Sequence, residues 1–322
     1  MNIEQMLRIL MGAFLVQGLL AIITWWPTDS GPDEPRDLVA IDASELDRIT
    51  VTGSVQRSET PDEPLVLARD GETWTLPSKF DLEVPETKIA TLLETIDSLE
   101  VVRPIAENAY RHADLDVADD QHTRKLVLEA ASGDTTTVFL GSASGSAAHV
   151  RVEGEDEVYR VRGITAYSIQ TGASSYFDAQ ILDVDAATVD QLTVRREDGT
   201  AFTFTQSEGQ WQVDVPGPAG RDALDPITTA RFVDGLLSLR MADPNGTTTT
   251  PEMGLDGGTE VSWTSTEDGS TVSSRYVVGS EIGADSNRFY VKVDGKPFVY
   301  EVLGSQLENA RMKPLTSLFV AE

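Results

Sequence analysis

The chain repeats itself. Ile41-Asp42-Ala43, leading into Ile49-Thr50-Val51, returns as Val184-Asp185-Ala186 leading into Leu192-Thr193-Val194. Trp74 within Glu72-Thr73-Trp74-Thr75-Leu76 returns as Trp211 within Gly209-Gln210-Trp211-Gln212-Val213. Phe139-Leu140-Gly141 pairs with Val277-Val278-Gly279, and Val158-Tyr159-Arg160-Val161-Arg162-Gly163 with Val299-Tyr300-Glu301-Val302-Leu303-Gly304. Matches that keep their order over so long a spacing read as duplication of one domain. The period is far longer than that of a solenoid, so two tandem globular repeats are expected rather than a stacked array.

Within each copy the apolar pattern alternates between strand and helix periods. Strands are expected around Arg48 to Thr52, Leu65 to Ala68 and Trp74, with Asp-Gly turns at Asp70-Gly71 and Asp198-Gly199. One principal helix follows. Pro85 opens it, and Ile89, Leu92, Leu93, Ile96 and Leu99 fall on one face. In the second copy Asp225 supplies the N-cap and Pro226 the first turn, with Phe232, Val233, Leu236 and Leu239 as the matching stripe. More strands come after it: Lys125 to Glu129, Thr136 to Leu140, His149 to Val152 and Val158 to Val161, then Ser274 to Val278, Phe289 to Val293 and Phe298 to Val302. The expected class is α+β with mainly antiparallel sheets.

Ahead of the repeats, Ile9 to Trp26 carries no charged side chain. Eighteen helical residues rise roughly 27 Å, close to the roughly 30 Å hydrocarbon core of a bilayer. Trp25-Trp26 sits where an interfacial aromatic belt would, and Pro27 ends the segment. A cleaved signal peptide would show a basic start and a small-x-small site; here Glu4 accompanies Arg8 and tryptophans hold the place for cleavage. The expected plan is a membrane anchor over 1–26, an acidic proline-rich linker over 27–37, and α+β repeats over 38–180 and 181–322. The expected location is the inner (cytoplasmic) membrane, crossed once through residues 9–26, with the soluble body in the periplasm or extracytoplasmic space.

Formal charge is −28, from 53 acidic against 25 basic residues, and both copies share the excess. With lysine scarce beside arginine, this looks like a halophilic surface. The same charge argues against nucleic acid, since phosphate binding depends on Lys and Arg contacts. No cysteine is present, so disulfides and thiol chemistry are excluded.

Chemistry is harder to find. His112-Ala113-Asp114-Leu115-Asp116-Val117-Ala118-Asp119-Asp120-Gln121-His122 gathers two histidines and four aspartates. Its spacing matches neither a calcium loop nor a zinc helix, and Leu115-Asp116 pairs with Leu255-Asp256, where no histidine accompanies it. A solvated acidic turn is the expected identity. Gly141-Ser142-Ala143-Ser144-Gly145 has Ala143 where a nucleophile elbow needs serine. All three histidines, His112, His122 and His149, lie in the first copy, so a duplicated histidine site is impossible. Trp74 and Trp211 are expected in the core, with a paired glycan-stacking platform as the alternative. Asn245-Gly246-Thr247 is a nominal sequon in a polar loop. No catalytic, cofactor-binding or metal-binding residue is assigned, and no cofactor is expected.

Leu46-Asp47-Arg48-Ile49-Thr50-Val51, Gly71-Glu72-Thr73-Trp74-Thr75-Leu76 and Gly254-Leu255-Asp256, after a membrane helix and short linker, together resemble a bacterial family catalogued as domain of unknown function 4340. The first copy departs from the last motif, reading Ala113-Asp114-Leu115-Asp116. The resemblance implies association with an ABC-type transport system, with permease or ATPase subunits as partners; it implies no site residues. The leading expectation is therefore a non-enzymatic extracytoplasmic accessory subunit of such a complex. The alternative is a module binding an envelope polymer, glycan or peptidoglycan, and behind it a metal-dependent hydrolase using the 112–122 segment.

Overall fold

The computed structural model describes residues 35–39, 41–55, 63–218, 223–267 and 269–320. The expected anchor over 1–26 and residues 27–34 of the expected linker lie outside the described residues. Among the described residues no helix is long and apolar enough to cross a membrane.

The fold is α+β: two nine-stranded sheets with antiparallel pairing, and three α-helices among the described residues. In the first half Leu46–Thr52, Leu65–Asp70 and Thr73–Leu76 form a meander, and helix α1 (Glu86–Asp97) leaves it. The chain returns on the far edge as Pro104–Glu107. It then lays down Arg124–Ala130 against Leu46–Thr52 and runs through Thr135–Ser142 and Ala147–Val152 to Glu157–Arg162, beside Pro104–Glu107. The second half follows the same path. Val189–Arg195, Ala201–Ser207 and Gln210–Val213 precede helix α2 (Pro226–Leu237). Ser238–Pro244 lies towards the far edge, with Gln180–Asp183 outside it. Thr259–Glu267 pairs with Val189–Arg195, and Ser270–Glu281 and Arg288–Val293 lead to Val299–Leu303 beside Ser238–Pro244. Each sheet carries one extra edge strand, at opposite ends: Leu82–Glu83 on the first and Gln180–Asp183 on the second.

Two-residue alternation explains which face is buried. Leu46, Ile49 and Val51 on one strand and Val189, Leu192 and Val194 on its counterpart are sealed from solvent. Helix α1 covers the first sheet with Ile89, Leu92 and Ile96; α2 covers the second with Phe232, Val233 and Leu236. Full burial of one such side chain contributes roughly 1.5–3 kcal/mol. Asp225 caps α2, its carboxylate accepting from the Thr228 N–H at 2.7 Å, and Pro226 stands in the first turn. Most of the buried apolar residues of both halves form one continuous cluster. A polar tie joins the halves as well: Lys79 pairs with the Asp243 carboxylate.

Two features depart from the sequence reading. A third helix, α3 (Gly304–Arg311), packs on α2 with Leu307 and Ala310 buried, and Asn309 Nδ2 donates to the Phe232 carbonyl at 3.0 Å. Its apolar stripe is only those two residues, too thin to register as a helical period. The second concerns Leu115-Asp116, which pairs structurally with Met253-Gly254, two residues from its sequence match. Asp116 and Gly254 are both left-handed, at φ 55° and 60°. The carbonyls of Leu115 and Asp116 crowd Gly141 as those of Met253 do Gly279; a Cβ on either glycine would lie 2.0 Å from a backbone oxygen. Backbone conformation and this close approach decide the equivalence, and the shared Leu-Asp letters do not.

Candidate functional site

The 112–122 segment does not form an open site. It folds onto the outer face of the first sheet, where Val117, Phe139 and Val158 make a small second core away from the main one. Several polar groups hold it there. His112 Nε2 lies 3.0 Å from the Asp156 carbonyl, and His149 Nδ1 lies 3.2 Å from the Leu115 carbonyl. Arg151, 3% exposed, donates from Nε to the Val117 carbonyl at 2.8 Å, pairs with the Asp119 carboxylate and stacks over Phe139. His122 Nδ1 sits 3.1 Å from the Ala118 carbonyl, while its buried Nε2 has no partner and its ring lies against Phe139. Desolvation by burial pushes the His122 pKa below the ordinary histidine value. Among the described residues no group of three or more His, Asp or Glu is placed to hold a metal ion.

The Gly141–Gly145 segment belongs to strand and turn. Gly141 is pinned under the 112–122 segment, the Ser142 and Thr123 hydroxyls lie 3.2 Å apart, and the Ser144 carbonyl accepts from Arg160. Asn245 of the nominal sequon donates from its side-chain amide to Glu301 at 2.9 Å.

The tryptophans separate. Trp74 is 5% exposed and Trp263 6%. Trp211, at the position matching Trp74, is only half-buried and lines a cavity of about 660 Å³. That volume falls within the range of small-ligand sites. The cavity lies between the outer edge of Gln210–Val213 and the start of α2; its walls include Val213, Val215, Leu224 and Phe319, and among the described residues no charged one lines it. Thr229 also lines it, with a buried hydroxyl that has no hydrogen-bond partner. The Trp211 ring meets Phe204 edge-on at 6.4 Å, so one side of the indole is anchored to the core.

Local chain path explains the cavity. After Thr73–Leu76 the first half turns back and pairs Leu82 with Leu76 and Glu83 with Thr75; the Val84 N–H then reaches the Trp74 carbonyl at 2.8 Å. In the second half the segment before α2 goes to the C-terminal residues instead. Leu224 bridges Phe319, the Asp225 N–H donates to the Leu318 carbonyl at 2.7 Å, and the Val320 N–H to the Ala223 carbonyl at 3.0 Å. Among the described residues no strand covers the outer edge of Gln210–Val213. Sequence reasoning paired the two tryptophans but missed this difference. Its available signal was Val215-Pro216-Gly217-Pro218 after the second tryptophan strand, a run too proline-rich to return as a strand.

Comparison with known proteins gives one match. The family model for a domain of unknown function (DUF4340) matches residues 74–257, from the first tryptophan strand to the glycine turn before Thr259–Glu267. The matched region thus runs across the junction between the two sheets. No curated protein matches, and neither does any solved structure. The match covers more than half of the chain, which therefore belongs to this family.

Proposed function

We propose, from that membership, that the protein is a non-enzymatic, membrane-tethered accessory subunit whose soluble body docks onto a partner protein. The observation that carries this reading is the contrast between consumed polar groups and an uncovered edge. The histidines and Arg151 serve backbone carbonyls and loop anchoring, whereas among the described residues no strand covers the Gln210–Val213 edge beside its cavity. The family resemblance directs the choice of partner to the permease or ATPase of an ABC-type transport system. The uncharged stretch of residues 9–26 supports a single-pass anchor in the inner membrane, with the body on the extracytoplasmic side. The matching order of strands in the two sheets supports an origin by duplication, as tandem repeats over 38–180 and 181–322.

Affinity purification from native membranes in mild detergent, with quantitative mass spectrometry, tests the reading. The expected result is an ABC-type permease and its ATPase in stoichiometric amounts. Recovery of this chain alone, under conditions that preserve other complexes, sinks it. We further propose that the acidity is a salt adaptation. Screening of self-repulsion at a net charge of −28 should raise the midpoint of thermal unfolding between low and molar salt, and a flat profile refutes it.

A second reading rests on Trp211 alone. A half-exposed indole beside a neutral cavity suits stacking on an envelope glycan. Titration with chito-oligosaccharides should then shift tryptophan emission, and Trp211→Phe should abolish the shift.

A further inference from the structure

The uncovered edge has an internal counterpart that shows what would fit it. In the first half, the chain itself supplies a short extended segment, Leu82–Glu83, which adds to the Thr73–Leu76 edge and drops Val84 into the space beside Trp74, where it is 3% exposed. In the second half the matching edge is Gln210–Val213, and the matching space is the 660 Å³ cavity. Trp211 and Val213 are half-buried while Gln210 and Gln212 are exposed, so the strand keeps its alternation up to the open edge.

We propose that Gln210–Val213 and its cavity form a strand-addition site that takes an extended, basic-flanked aliphatic segment of a partner protein. An unpaired edge offers a row of backbone donors and acceptors that another strand can satisfy, while alternate side chains of that strand enter pockets. Four edge residues span roughly 13 Å, room for one or two inward-facing side chains. The described walls, with Val213, Val215, Leu224 and Phe319 among them and no charged side chain, select aliphatic ones. Charge sets the flanks: exposed Glu208 and Asp214 bracket the edge strand, on a chain of net charge −28. The same acidity disfavours a second copy of this chain as the occupant, since two such edges would meet with like charges at both ends. The site locates the docking surface of the accessory-subunit reading and rests on that reading for its class of partner.

The test uses the purified full chain in detergent and a fluorescent nonapeptide, Lys-Lys-Val-Thr-Leu-Thr-Val-Lys-Lys, followed by anisotropy. Three comparisons accompany it: the same peptide N-methylated on alternate central residues, a version with glutamate flanks, and the protein variant Ala230→Trp. Ala230 lines the cavity on an exposed helix position, so this variant fills the space without touching the core, and its thermal unfolding confirms the fold. Saturable binding is expected, weakened at least tenfold by N-methylation, by acidic flanks and by Ala230→Trp. No binding of either peptide overturns the proposal, as does binding indifferent to N-methylation or to Ala230→Trp. Chito-oligosaccharide binding sensitive to Ala230→Trp, with no peptide binding, assigns the cavity to a glycan. Binding seen only after residues 219–222 are replaced by a Gly-Ser linker assigns the slot to the chain's own segment. Because purified components suffice, peptide binding can succeed where transporter co-purification fails, and the reverse.

Discussion

The two sheets share a strand path but differ in how their margins are completed. At the tryptophan edge the first sheet is closed by its own Leu82–Glu83 strand, while the second ends on Gln210–Val213 beside a cavity. On the outer face, Phe139 is sealed beneath Val117 in the first half. Val277 stands at the matching place in the second half, half-buried in a groove of about 610 Å³ among Arg195, Glu260, Arg275 and Lys292. There Glu260 pairs with Arg195 at 2.9 Å and with Arg275 at 2.7 Å. One half finishes its sheet with apolar loop residues, the other with ion pairs in water. The frame is common; the segments between strands decide which surfaces remain available to a partner.

The most severe test of the common frame is Gly141→Ala beside Gly279→Ala. A Cβ at either site lies 2.0 Å from a backbone carbonyl that cannot move aside cheaply. Both variants should lose more than about 3 kcal/mol, at the upper end of overpacking costs. Chemical denaturation measures this, and tolerance of one alanine would show that the two close approaches are not equivalent.

The outer-face difference is sharpened by Phe139→Ala against Val277→Ala. The first empties a sealed pocket and should cost about 3–5 kcal/mol. The second trims a half-buried side chain and should cost about 1 kcal/mol or less. Equal losses in urea unfolding would mean that the groove beside Val277 is closed in solution.

Acid should act on the first half through His122. Burial holds its folded-state pKa below the usual 6.5, so the unfolded chain binds the proton first. The contribution is intact above pH 6.5, declines as pH falls towards the folded value, and levels off below it. His122→Phe, carrying no titrating group, should flatten that part of the stability profile. An unchanged slope would place the sensitivity elsewhere.

The smallest effect is expected from Glu260→Gln. It removes both ion pairs made by Glu260, yet Arg195 and Arg275 are more than half exposed, so the loss should be at most about 1 kcal/mol and fade in molar salt. A larger, salt-insensitive loss would show that this groove excludes water.

Much of the fold was legible because it follows local rules. The stripe Ile89, Leu92, Ile96 and the Asp225-Pro226 start place both principal helices, and the strands lie within a few residues of their expected positions. α3 was not legible, since Gly304–Arg311 buries only a short stripe and owes its place to packing on α2. The Asp/His segment could be read as a turn, but not as the cover of a second core, because Val117, Phe139 and Val158 lie on three separate strands. Trp211 is told from Trp74 in the sequence only by the proline-rich run Val215-Pro216-Gly217-Pro218 that follows it. That run does not say what the following segment pairs with, which is the edge strand in one half and Leu318–Val320 in the other.

By itself, then, the sequence determined the period-two and helical patterns, the matched order of the two halves, the acidic surface and the lack of thiol chemistry. These are properties of composition and near-neighbour spacing. Tertiary structure alone decided which tryptophan borders a cavity, that Asp116 stands in for Gly254, and that the histidines are held by backbone carbonyls. Each depends on contacts between residues far apart in the chain, whose pairing follows from how the strands and the C-terminal segment compete for the same edges.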